Sequence, residues 1–152
     1  NIVFAESVVA TIEVKSNLNK KEDYWKLLEN IKSVKTLKPI YTLSGFKITE
    51  HKIVSMVFCF NGPSHETINV WGQQYCKKHK TELSETGYNM FCVLNKYCIF
   101  RSDNRLRLMV DRPGKLWSIF ANSQDSLLCF YLYLLEWTQK SSKIQADYLR
   151  YL

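Results

Sequence analysis

Glycine and proline are scarce: the 152 residues hold five glycines, none near another, and three prolines. A backbone loop that cradles phosphate needs clustered glycines, so nucleotide binding of the GxGxxG or GxxxxGK[ST] kind is excluded. The five cysteines (Cys59, Cys76, Cys92, Cys98, Cys129) are odd in number, lack CxxC spacing and sit mostly in apolar runs such as FCF and LLCFYLY. That pattern reads as buried, reduced thiols rather than a disulfide framework, and a reducing cytoplasm is the expected location. The longest apolar run, residues 127–135, has nine residues and cannot span a bilayer. No charged-then-apolar signal segment opens the chain. An initiator Met is also missing, so the domain, read as one unit over residues 1–152, is expected to be truncated at its N-terminus.

Negative charge is in the minority. Fourteen Asp and Glu face twenty-one Lys and Arg, a formal charge of +7 that favours an anionic partner such as nucleic acid. With 46% hydrophobic residues the chain is large enough for one core and too short for two.

Residues 8–14 form a short β-branched run without polar alternation, which reads as a strand buried on both faces in the middle of an α/β sheet. A helix follows. Asn19 is the expected cap with Glu22 three residues on, and Tyr24, Leu27, Leu28, Ile31 and Val34 make one apolar stripe before Pro39. Residues 51–60 read as a second buried strand, closed by Asn61-Gly62-Pro63. Ser64 caps a second helix to about Lys80, with Ile68, Trp71 and Tyr75 inward and lysines at its end. Residues 88–120 break into short runs separated by turn residues, an antiparallel meander. In this reading Asn95-Lys96 is a two-residue turn, which sets Val93 opposite Cys98 and puts Cys92 on the other face, away from a disulfide with Cys98. Ser123 opens a last helix, apolar nearly all round and so expected to be buried.

Two charged residues interrupt the end of the first strand. Glu13 and Lys15 are two apart, so they share one face while Val14, expected to be buried, faces the other. The carboxyl end of a parallel strand is where open α/β sheets place their ligands. A carboxylate there suits a hard divalent cation, and a neighbouring ammonium suits the charge that develops on a phosphate. The spacing alone is weak, since Glu-x-Lys recurs about once in a few hundred residues at average composition. Indeed Glu50-His51-Lys52 repeats it in the polar lead-in to a strand. Only the first lies between a buried strand and a capped helix.

Residues 5–37, AESVVATIEVKSNLNKKEDYWKLLENIKSVKTL, resemble a segment of a family of uncharacterised bacterial proteins whose core is similar to the PD-(D/E)XK nucleases, and SQDSLLCFYLYLLEWTQ resembles that family's closing helix. The resemblance implies a restriction-endonuclease-like α/β fold, a mixed sheet flanked by helices with the meander and a buried C-terminal helix. It also implies a Mg²⁺- or Mn²⁺-dependent phosphodiesterase in which Glu13 binds the metal and Lys15 is the catalytic lysine. Such nucleases carry an aspartate on the preceding strand. Here Asn1 stands where it would be expected, or the aspartate lies upstream, and Glu6 is the remaining candidate as a second metal ligand.

Other constellations are weaker. Cys59 with His51 and His65 has nothing to fix a nucleophile and base together, and Cys76 with His79 is half a zinc site without the other half. Lys96, Arg101, Arg105, Arg107, Arg112 and Lys115, interleaved with Tyr97, Phe100 and Trp117, are the candidate nucleic-acid-binding residues, or else the polar face of a hairpin. The function expected is metal-dependent cleavage of nucleic acid, DNA ahead of RNA, with no membrane partner and a homodimer left open. The alternative is a degenerate nuclease-like domain that binds nucleic acid or a protein.

Overall fold

The computed structural model describes residues 8–37, 41–43, 46–48, 53–83, 87–101, 117–120, 124–141 and 145–146. Its centre is a five-stranded mixed sheet in the order β1-β4-β5-β6-β7, formed by β1 (Ala10–Asn17), β4 (Val54–Asn61), β5 (Met90–Val93), β6 (Tyr97–Arg101) and β7 (Trp117–Phe120). β1, β4 and β5 run parallel, and β6 and β7 continue antiparallel. Each parallel step needs a crossover, supplied by helices α1 (Lys21–Lys35) and α2 (His65–His79). Both crossovers advance across the sheet in the same direction, so a common hand puts both helices on one face. There Leu18, Tyr24, Leu27, Leu28, Ile31, Val57, Cys59, Ile68, Tyr75 and Phe91 form one buried cluster.

The opposite face is covered by α3 (Ser126–Ser141), with Phe130, Tyr133 and Trp137 packed on Val54, Met56, Phe58, Met90, Cys92 and Cys98. Phe58 and Phe130 meet edge-on at 5.1 Å, and the Trp137 indole donates to the Val9 carbonyl at 2.8 Å. The arrangement is three-layered, as expected of a restriction-endonuclease-like α/β fold. The last helix is buried along one stripe and not nearly all round, because α3 has a single sheet face to cover; Leu127, Leu128, Tyr131 and Leu135 stay exposed. A second, three-stranded sheet, β3-β2-β8, joins β2 (Tyr41–Leu43), β3 (Phe46–Ile48) and β8 (Gln145–Ala146).

Several local expectations shift. α1 begins with Lys20 as its N-cap and no side-chain cap bond, so Asn19 does not cap it, whereas Ser64 accepts from the Thr67 amide as expected. α3 opens at Ser126, three residues after Ser123. The β5–β6 turn has three residues, Leu94 to Lys96, with Asn95 in the left-handed region at φ 57°. This pairs Val93 with Tyr97 and Cys92 with Cys98, so the two cysteines face each other as free thiols on the α3 side, both donating to the Ser126 carbonyl. One extra turn residue reverses the facing that a two-residue turn would give.

β1 is the larger correction. Among the described strands it lies at the edge of the sheet, paired with β4 alone, and Ile12 and Val14 are 41% and 57% exposed. Its apolar run does not distinguish a central strand from an edge strand whose second face the α3 layer reaches only at Ala10. The placement predicts a contrast in stability. Val14→Thr should change the unfolding free energy by no more than about 0.5 kcal/mol, as at an exposed site. Leu27→Ala, which empties a fully buried position, should cost about 2–5 kcal/mol in chemical denaturation.

Candidate active site

Alternation along β1 points Thr11, Glu13 and Lys15 toward the α1–α2 face and Ile12 and Val14 away from it. In the β1–β4 register Glu13 stands beside Val57 and Lys15 beside Cys59. Immediately after β1, Leu18 is fully buried and its amide donates to the Asn61 carbonyl, which anchors the chain as it turns into α1. The helix then runs back over the strand. Its inward stripe is Tyr24, Leu27, Leu28 and Ile31. Trp25 and Glu29 lie on the flank that meets α2, where the Trp25 indole donates to the Trp71 carbonyl and Glu29 accepts from the Tyr75 hydroxyl at 2.6 Å. Asn30 lies on the other flank and reaches Glu13.

The result is a compact polar group at the carboxyl end of β1. Lys15 Nζ is 2.8 Å from Glu13 Oε1, with the two side chains 29% and 21% exposed. The Asn30 amide nitrogen donates to Oε1 at 3.1 Å and Oε2 at 3.3 Å. Glu13 and Lys15 therefore share one half-sheltered recess, as the spacing implies, but Val14 is exposed rather than buried behind them. An ion pair with this much solvent access contributes about 0–1 kcal/mol to stability, so folding gives little reason to hold the two charges together.

Beneath the pair lies Cys59, fully buried. Burial pushes its thiol from the ordinary 9.0 up to about 12, with Cys92 adding to the rise, Lys15 opposing it and Glu13 adding slightly. A thiol held protonated in this way is no nucleophile at neutral pH. His65 pairs with Glu66 at 2.9 Å at the start of α2, and His79 stacks on Tyr75 at 4.4 Å, so neither completes a thiol site or a zinc site. Among the described residues no three His, Cys, Asp or Glu side chains are grouped to hold a metal.

The basic stretch is divided. Lys96 is tied to the β4–α2 turn through the Asn61 side chain at 3.3 Å and the Gly62 carbonyl at 2.7 Å, at the same end of the sheet as Lys15. Arg101 ends β6 at the opposite edge of the strand ladder, its amide donating to the Asn89 carbonyl. A five-residue strand separates them, so these two do not form one cluster. Glu6, His51, Arg105, Arg107, Arg112 and Lys115 lie outside the described residues.

The order of strands and helices finds a counterpart among solved structures. The fold is similar to that of NucC. NucC of P. aeruginosa ATCC27853, in a cAAA-bound form, superposes with a TM-score of 0.63 at 17% identity over 96% of this chain and 57% of its own. NucC of E. coli MS115-1 gives 0.57 at 18% identity in its cAAA-bound form, over 94% of this chain and 56% of its own. Its apo form gives 0.53 at 17% identity, over 86% of this chain and 56% of its own. The chain thus spans a little under three-fifths of the length of these NucC chains. No protein-family model and no curated protein matches the sequence. At these identities the likeness establishes the fold, a mixed α/β sheet flanked by helices similar to the NucC nuclease fold.

Asn30 is the site residue that sequence reasoning missed. Its only signal is position, three after Leu27 and four before Val34 at the margin of the apolar stripe.

The buried thiol makes a pH prediction. In the unfolded chain Cys59 loses its proton near the ordinary 9.0, while in the folded protein it keeps it to about 12. Between those values the folded state binds more protons, so stability falls as pH rises, by at most about 1.4 kcal/mol per unit from this group. Denaturation at pH 8 and pH 10.5 should show wild type losing more stability than Cys59→Ala. Equal losses would mean that the thiol is not shielded.

Proposed function

We propose that this protein is a divalent-metal-dependent nuclease acting on nucleic acid, with Glu13 as a metal ligand and Lys15 as the catalytic lysine. The observation that carries the reading is the 2.8 Å carboxylate–ammonium pair at the carboxyl end of a parallel strand, in a fold similar to that of NucC. A structural ion pair has no need of that location, whereas a phosphodiester hydrolase does.

The donor chemistry fits a hard cation. Mg²⁺ and Mn²⁺ take oxygen ligands, and Mg²⁺ in phosphoryl-transfer sites is commonly held by one or two carboxylates, with water and substrate phosphate filling the remainder. Glu13 supplies one carboxylate, and Glu6 is the proposed second. When bound, the cation supplies Lewis acidity toward the scissile phosphodiester. Lys15 presents three N–H donors beside Glu13, suited to orienting the attacking water and to countering charge that develops on the phosphate oxygens. The apolar layer of Val57, Cys59 and Leu18 below the pair keeps water from the underside, which strengthens both electrostatic contacts. The net charge of +7 supports a polyanionic substrate. DNA is proposed ahead of RNA, and Lys96, tied to the β4–α2 turn on the site's end of the sheet, adds positive charge on that side.

One observation favours a second reading. The described residues bring a single carboxylate to the recess, and it is already engaged by Lys15 and Asn30. A degenerate nuclease-like domain that only binds nucleic acid or a protein would look the same.

Cleavage separates the two. The full-length protein, given plasmid DNA or RNA with Mg²⁺ or Mn²⁺, should cut, and Glu13→Gln and Lys15→Ala should each lower the rate by at least about a hundredfold. Nucleic-acid binding should survive both substitutions and weaken steeply between about 50 and 200 mM salt. Cleavage that persists in Glu13→Gln would remove the assignment, and a wild type that binds without ever cutting would establish the binding module.

A further inference from the structure

Apart from Lys15, the one side chain seen to hold Glu13 among the described residues is Asn30. Its amide nitrogen lies within hydrogen-bonding distance of both carboxylate oxygens, at 3.1 and 3.3 Å, while Lys15 Nζ takes Oε1 at 2.8 Å. A carboxylate surrounded by donors in this way is oriented but not available, because an incoming cation competes with one ammonium and one neutral amide donor for the same lone pairs. An asparagine resolves that competition where a lysine or arginine does not. Its amide carries a carbonyl oxygen and an NH₂ of nearly the same shape on one carbon, so a half-turn of the terminal torsion exchanges a donor for a neutral oxygen acceptor in place. Amide oxygens are ordinary ligands for hard divalent cations.

Asn30 is also not needed to hold the helix down. α1 is seated by Leu27, Leu28 and Tyr24, all fully buried, and by the Trp25 and Glu29 contacts to α2 on its other flank. Asn30 itself is exposed, and an exposed hydrogen bond of this kind is a weak tether.

We infer that Asn30 is a positioning residue of the cation site. It donates to Glu13 and fixes the rotamer of the carboxylate, and a half-turn of its amide would let its oxygen face a cation held there. The inference rests on the metal reading of Glu13. It places a polar residue of α1, outside the Glu-x-Lys triplet, among the determinants of metal affinity.

The test is a Mn²⁺ titration of the full-length protein, with free Mn²⁺ read by electron paramagnetic resonance, for wild type, Asn30→Ala, Asn30→Asp and Glu13→Gln. Asn30→Ala should weaken Mn²⁺ binding about 10-fold or more, the range seen when the partner of a metal-ligating carboxylate is removed. Asn30→Asp, which puts an anionic oxygen in the same place, should bind at least as tightly as wild type. Thermal unfolding of both Asn30 variants should stay close to wild type, so that a change in Mn²⁺ affinity reports the site and not a loss of folding. If Asn30→Ala binds Mn²⁺ like wild type while Glu13→Gln does not, or if Asn30→Asp binds more weakly than Asn30→Ala, the role of Asn30 is overturned and the reading of Glu13 stands. If wild type and Glu13→Gln bind Mn²⁺ equally, the metal reading of Glu13 fails first and the inference with it.

Discussion

The parallel pairing of β1 with β4 is the constraint on which the rest of the molecule depends. Parallel neighbours cannot be joined by a tight turn, so the chain must leave the end of β1, cross one face and return. That crossover is α1, and its antiparallel course over β1 is what brings Asn30 above Glu13. The same register sets Lys15 beside the buried Cys59 and lets Leu18 bond to Asn61 at the end of the strands. The recess is therefore a product of topology: a polar face at a strand end, a helix lying over it and an apolar floor made by the neighbouring strand. A second crossover through α2 repeats the geometry one strand further in and closes the core around Tyr24, Tyr75 and Phe91.

Electrostatics then decides what the recess is suited for. Glu13 and Lys15 sit partly sheltered, where an ion pair adds little to folding yet is stronger than it would be in open water. Charges kept together at small gain to stability, at the edge of a sheet whose fold is similar to that of NucC, are what the proposed function sets out to explain. The single described carboxylate gives the binding-module reading its weight, and Asn30 gives the site a second oxygen-bearing side chain that motif reasoning does not count.

Much of this was legible in the sequence, for identifiable reasons. The strand, helix, strand, helix order over residues 8–80 follows from long periodic stripes and from capping at Ser64, signals that tertiary packing reinforces. The shared face of Glu13 and Lys15 follows from strand alternation alone. The edge position of β1 did not, because β-branched residues suit a half-covered strand as well as a central one, and only the reach of α3 decides which it is. The Cys92–Cys98 facing turned on one residue of the Leu94–Lys96 turn, a margin that composition does not resolve. β2, β3 and β8 are two or three residues each, too short for periodicity; the Ser44-Gly45 pair between YTL and FKI was their one available sign. Asn30 was invisible because its role depends on where a helix flank falls over a strand. Lys96 and Arg101 looked like one basic run, yet Lys96 lies in the turn before β6 and Arg101 at the strand's far end.

The most direct test of the central claim, that Glu13 belongs to a cation site served by Lys15 and Asn30, is a crystal structure of the protein grown with Mn²⁺ and phased to show anomalous scattering. The account predicts an anomalous peak within coordination distance of a Glu13 carboxylate oxygen, with the Lys15–Glu13 pair opened to admit it. A map with the 2.8 Å pair intact and no anomalous density beside Glu13 at saturating Mn²⁺ would contradict it.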